Sequence, residues 1–254
     1  MKKILSFLSV LGFLSISTAQ NTNKMYDKWS VEFNEGLNKA FYNWEYDGAP
    51  TRLAHLDLGV RYMLNDKFGF KAAFGHDQLK NNKSEHKFKT NIYRYNIEGV
   101  FNIGRLLSFE DWTGRIGLLL HAGGGLTKLN YSTVGGRKND ASHLMIGVTP
   151  QIKISNRVVL TIDVTSINNF QQAYTFDGYN RPEAVIKGTG TVQVNDDTGT
   201  TTIEIADPSA KFLKHMNPIL NTSIGVTYYF GKNKKHVDWA AVDEIKTLTE
   251  EEQN

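Results

Sequence analysis

The stretch NTSIGVTYYF, residues 221–230, decides the fold. Thr222, Ile224, Val226, Tyr228 and Phe230 share one parity, and small or polar residues fill the other, the period of two expected of a strand with one apolar face. After Phe230 the alternation stops and a hydrophilic tail runs to residue 254.

The same alternation recurs upstream. One charge-poor parity reads Trp29, Val31, Phe33; Leu56, Leu58, Val60, Tyr62; Phe68, Phe70, Ala72, Phe74; and Tyr93, Tyr95, Ile97, Gly99, Phe101. It continues as Ile116, Leu118, Leu120, Ala122; Leu144, Ile146, Val148, Ile152; and Val158, Leu160, Ile162, Val164. With the closing stretch this predicts eight strands. Glu32, Asp57, Arg61, Lys71, Arg94, Glu98, Arg115, His121, Lys153 and Asp163 fall on the opposite parity, so charge is confined to one face and nearly balanced in sign.

Connections alternate in length. The second, fourth and sixth strands are followed by residues 65–67, the moderate stretch 104–112, and residues 155–157. Long polar stretches near 38–52, 76–90, 124–142 and 166–215 follow the first, third, fifth and seventh. Short turns at one end and long loops at the other are the pattern of an outer-membrane barrel, and an even strand number puts both termini on the periplasmic side. In the last loop, residues 191–194 and 201–205 alternate around 195–199, which predicts a hairpin. The triplet Gly123-Gly124-Gly125 reads as the exit of the fifth strand.

The expected fold is all-β: an eight-stranded antiparallel up-and-down transmembrane β-barrel. Backbone amides in hydrocarbon must be paired within the protein, and closing the sheet pairs them all. About 9 to 11 tilted residues per strand span a bilayer, and eight strands leave an interior that side chains nearly fill. The charged parity then faces inward. Aromatics near strand ends, Trp29, Tyr62, Phe68, Tyr93, Phe101 and Phe230, suit interfacial girdles. Alternation alone also admits a soluble ligand-binding barrel with the apolar parity inside.

Lys2 and Lys3 precede the apolar run 4–14, and Ser17-Thr18-Ala19 supplies a cleavage site, so residues 1–19 read as a signal peptide, followed by a barrel over 20–230 and a periplasmic hydrophilic tail over 231–254. Without the two signal lysines, the 29 Lys and Arg fall to 27 against 26 Asp and Glu, a charge of +1 that gives no reason to expect a nucleic-acid partner. With no cysteine there is no disulfide framework or thiolate chemistry. After the signal no run reaches the roughly 18 apolar residues of a spanning helix.

The signal peptide, the alternating strands, YMLNDKFGFK (62–71), YTFDGYNR (174–181) and GVTYYFGKNKKHVDW (225–239) together resemble the OmpA-type barrels of the Bacteroidetes outer membrane, over residues 20 to 239. The resemblance implies that Phe230, with Tyr228 on the same face, is the terminal signal read by the barrel-assembly machinery. It implies outer-membrane lipid and lipopolysaccharide as surroundings, an unidentified loop ligand, and inward charges that occlude or gate the lumen. GKNKKHVDW resembles the start of a linker to a peptidoglycan-binding domain, so residues 231–254 are expected to be a solvated remnant, either of a short gene or of a longer protein.

A catalytic constellation is not legible. His-x-Ser does not occur; His76-Asp77 and Ser142-His143 are adjacent pairs, which on a strand point to opposite faces. The seven histidines lack the paired spacing of a metal site. Asp177, Asp196 and Asp197 could meet a divalent cation, though polar loop tips explain them too. The expectation is a non-enzymatic structural barrel without cofactor, its lumen network made of Glu32, Asp57, Arg61, Lys71, Arg94, Glu98, Arg115, Lys153 and Asp163. The alternatives are a narrow channel for ions or small solutes, a lipid-modifying enzyme, or the soluble barrel.

Overall fold

The computed structural model describes residues 26–41, 51–81, 87–108, 113–132, 135–170, 172, 174–178, 191–196, 199–204, 217–233 and 235–240. The expected signal peptide and residues 241–254 of the tail lie outside them.

Eight antiparallel strands close into a barrel: β1 (Trp29–Ala40), β2 (Arg52–Met63), β3 (Phe68–Asn81), β4 (Phe88–Asn102), β5 (Ile116–Tyr131), β6 (Arg137–Lys153), β7 (Val158–Phe170) and β10 (Asn217–Phe230). Between β7 and β10, β8 (Thr191–Asp196) and β9 (Gly199–Glu204) form the expected hairpin. Each barrel strand pairs with its neighbours in sequence, and β1 meets β10 from Trp29 opposite Phe230 to Ala40 opposite Ile219.

The short turns are built by side chains. Asn65 Oδ1 accepts from the amides of Lys67 (2.9 Å) and Phe68 (2.8 Å), and Ser155 Oγ accepts from those of Arg157 (3.2 Å) and Val158 (3.1 Å). Between β4 and β5, Asn102 caps the single turn α1 (Ile103–Leu106) by accepting from the Arg105 amide at 3.0 Å.

The strands run further toward the loop end than expected. β3 reaches Asn81, β6 starts at Arg137, and β5 passes through Gly123-Gly124-Gly125 to Tyr131, so the glycines are not its exit. At Gly123 and Gly125 a Cβ would meet the main chain of Ile97 and Tyr95, so glycine permits close approach of β4.

Polarity is inside out. Ile97 (72% exposed), Ile224 (69%), Leu126 (61%), Leu144 and Phe70 face outward, while Arg61, Arg94, Glu98, Thr127 and Asn221 are buried within. A soluble ligand-binding barrel would place these two sets the other way round, so that alternative falls. At the turn end, Trp29 packs against Tyr62 (ring centroids 4.8 Å) and Phe230 (6.3 Å), and Phe68 meets Phe101 edge-on (5.2 Å), forming an aromatic belt below the apolar surface.

Candidate functional site

The lumen is layered. At the loop end Leu79, Phe88, Ile92, Leu129, Tyr131 and Ile167 close around Phe176, which the last loop inserts. Thr90 Oγ1 donates to the Phe176 carbonyl at 2.5 Å, fixing the inserted segment to β4.

Charge fills the middle. Lys71 Nζ lies 3.5 Å from Glu32 Oε2, 3.6 Å from Glu98 Oε2 and 3.7 Å from Asp57 Oδ1. Glu32 also accepts from Arg61 Nε at 2.7 Å. His121 bridges two carboxylates, with Nδ1 2.6 Å from Glu98 and Nε2 2.9 Å from Asp163, and Thr149 and Thr165 donate to Asp163 as well. Nearer the loops, Arg94 pairs with Asp77, whose Oδ1 also contacts His55 Nδ1 at 2.9 Å and accepts from Asn38 at 3.2 Å.

Inward glycines make room for these long side chains. A Cβ on Gly59 would press on the Lys71 stem at 3.3 Å, one on Gly75 would press on the Arg94 guanidinium at 3.0 Å, and one on Gly147 would overlap the His121 ring. A side chain at Gly147 would displace the His121 ring, whereas at Gly59 and Gly75 the flexible Lys71 and Arg94 side chains would have to give by a few tenths of an ångström.

At the turn end the chain beyond β10 turns back. His236, Val237, Asp238, Trp239 and Ala240 are buried. Arg61 Nη1 donates to both Asp238 oxygens, at 2.8 and 3.1 Å, and Tyr229 Oη donates to Asp238 Oδ2 at 2.9 Å. Burial by itself would raise the Asp238 carboxyl, but the Arg61 guanidinium and then His236 hold it below the ordinary carboxylate range. Residues 236–240 are therefore not a solvated tail, because an aromatic, a valine and a carboxylate with a buried cation all gain partners inside.

Of the expected lumen charges, Glu32, Asp57, Arg61, Lys71, Arg94, Glu98 and Asp163 line the interior. Arg115 does not: it is exposed and precedes β5, where strand parity has no hold. Lys153 ends β6 at the rim, with Nζ 5.5 Å from the centre of the Trp239 ring. Arg94 meets Asp77 rather than Glu98 or Glu32, since its register partner is Gly75 and Glu98 lies four residues down its own strand, about 13 Å away. Asp77 falls in an expected loop and Asp238 in the expected tail, so parity misses both. The signal available for Asp238 is Val237 and Trp239 flanking it in an otherwise hydrophilic stretch.

Tyr228 and Phe230 both face outward, and Tyr228 Oη accepts from Arg157 Nη1 at 3.3 Å. The adjacent pairs split as expected: His76 packs outside against Tyr93 with ring centroids 4.9 Å apart and tilted by 36°, and Asp77 points in; Ser142 is exposed and His143 is buried against Thr127 Oγ1 at 2.8 Å. Among the described residues no three His, Asp or Glu are grouped to hold a metal. Asp177 is buried near Thr175, while Asp197 lies outside the described residues.

No family model matches this chain, and no curated protein matches it in sequence. Among solved structures it is similar to the crystal structure of Neisserial surface protein A, with a TM-score of 0.50 and 13% identity over 80% of this chain and 97% of that one. It also aligns with Ail of Yersinia pestis (TM-score 0.44, 15% identity, 81% of this chain and 100% of that one). A major outer membrane protein of Thermus thermophilus aligns too (0.46, 13%, 80% and 99%). The likeness to the Neisserial protein shows the fold: this chain is a closed, eight-stranded, antiparallel up-and-down barrel of the kind found in bacterial outer membranes.

Proposed function

We propose that the protein is a non-enzymatic structural barrel of the outer membrane, with both mature termini periplasmic and loops displayed at the surface. The observation that carries this reading is the pairing of an apolar exterior with a filled lumen: Phe176 in an apolar layer, the Lys71 and His121 ion network, then Asp238 and Trp239. Hydrocarbon is the solvent that accepts the exterior, and no open path is needed for a strut. The sequence resemblance supports an OmpA-type barrel of Bacteroidetes, with lipopolysaccharide around it and the barrel-assembly machinery reading Tyr228 and Phe230.

The test is single-channel recording of the full chain in planar bilayers, comparing wild type with the Phe176→Ala, Trp239→Ala double variant. The strut reading expects rare, small openings for wild type and larger or more frequent ones for the variant. Steady large conductance from wild type defeats it and favours a narrow channel for ions or small solutes.

A further inference from the structure

We propose that residues 231–233 and 235–240 form a latch that holds the barrel seam shut at the turn end. At that end three strand pairs are tied by chain: β2 to β3, β4 to β5 and β6 to β7. β1 and β10 are the fourth pair, and no turn connects them. Ladder bonds and side-chain contacts alone join the two strands, and the ends of a ladder open first.

The returning chain supplies the missing connection. The Asp27 amide donates to the Lys235 carbonyl at 2.7 Å, and the Val237 amide donates to the Asp27 carbonyl at 3.0 Å, so residues before β1 and after β10 form a parallel bridge. The Asp27 carboxylate accepts from the Asn233 amide at 3.1 and 3.2 Å. Gly231, at φ 152°, lets the chain reverse there, and a Cβ on it would overlap the Asp27 carboxylate.

Beyond the bridge the segment grips both sides of the seam. Asp238 takes Arg61 of β2 and Tyr229 of β10, its carbonyl accepts from Asn102 of β4 at 3.2 Å, and Trp239 Nε1 donates to Tyr229 Oη at 3.1 Å. Val237 and Ala240 pack with Tyr26, Met63, Val100 and Leu119. Parting β1 from β10 breaks this set together. A plain filler of the lumen would need none of the main-chain bonds to Asp27.

The experiment uses the full chain folded in lipid, with hydrogen exchange read separately for β1 and β10 and for β4 and β5. Asp238→Asn removes the charge pairing, and Gly231→Ala disturbs the bridge from outside the lumen. For both, exchange in β1 and β10 is expected to speed by about tenfold or more while β4 and β5 keep wild-type rates. The chain has no cysteine, so F33C with V226C, direct register partners, adds one bond across the seam and should restore the slow exchange. Exchange that rises evenly around the barrel, that ignores the added disulfide, or that does not change in either variant overturns the latch. The sealed lumen is judged by conductance, so either idea can fail without the other.

Discussion

Arg61 and Lys71 are direct register partners on β2 and β3, two buried cations side by side. Like charges so placed repel, and water is scarce to screen them. Glu32 of β1 answers both, giving one oxygen to each. Glu32 is thus the carboxylate the two cations share, beside Asp238 at Arg61 and Glu98 and Asp57 at Lys71, and the strand carrying Glu32 is the one that closes the barrel on β10.

Glu32→Gln keeps the shape and removes the shared charge. Breaking a buried pair from one side costs about 3–5 kcal/mol, so the midpoint of urea unfolding in lipid vesicles should fall by a corresponding amount. Adding Lys71→Met takes the cation away from Asp57 and Glu98 as well and should deepen the loss. A double variant that is more stable than Glu32→Gln alone would mean that Glu32 is the main partner of Lys71 and that Asp57 and Glu98 do not need it.

How much of this is legible in the sequence follows from where the alternation is clean. Within the apolar belt, residues such as Leu58 and Val60 or Ile146 and Val148 announce the strand and its faces together. Above it the outward positions turn polar, as at Gln78 and Lys80 of β3 and Lys138 and Asp140 of β6, so both parities look alike and the strands read too short. Asp77 is lost in that way. Asp238 is lost for another reason, because a single buried turn outside any strand has no period to betray it.

The aromatic end of β10 gives a second prediction. Phe230 lies at the turn end, packed beside Trp29 and 37% exposed on the outer face. Phe230→Asp should deplete the compact, heat-modifiable form from outer-membrane fractions, whereas Phe230→Trp, which keeps an aromatic at the interface, should preserve it. Normal levels of the compact form in the Asp variant would remove Phe230 as the assembly signal. The same variant folded in vitro from urea separates recognition by the machinery from a defect of the barrel itself.

Asp238 sets the last prediction, a dependence on acid. With burial opposing and the Arg61 guanidinium and His236 prevailing, its carboxyl in the docked segment ionises below the ordinary range, about 3.9 for a free aspartate. A depressed value means that docking contributes stability above the ordinary pKa and loses it as pH falls toward the docked one. Between pH 7 and 5 residues 236–240 should therefore stay buried, and below about pH 4 they should begin to release. The chain has four tryptophans, so replacing Trp29, Trp44 and Trp112 with Phe isolates Trp239 as a probe. Its fluorescence should resist acrylamide at neutral pH and become quenchable in acid. Glu32 shares Arg61 with Asp238, so Asp238→Asn is the control: it should show more quenching at neutral pH and a flatter response to acid. Protection of Trp239 that does not fall at all as pH drops from about 4 to about 2, or that is lost on raising the pH, would show that the Arg61 pairing does not hold the segment in place.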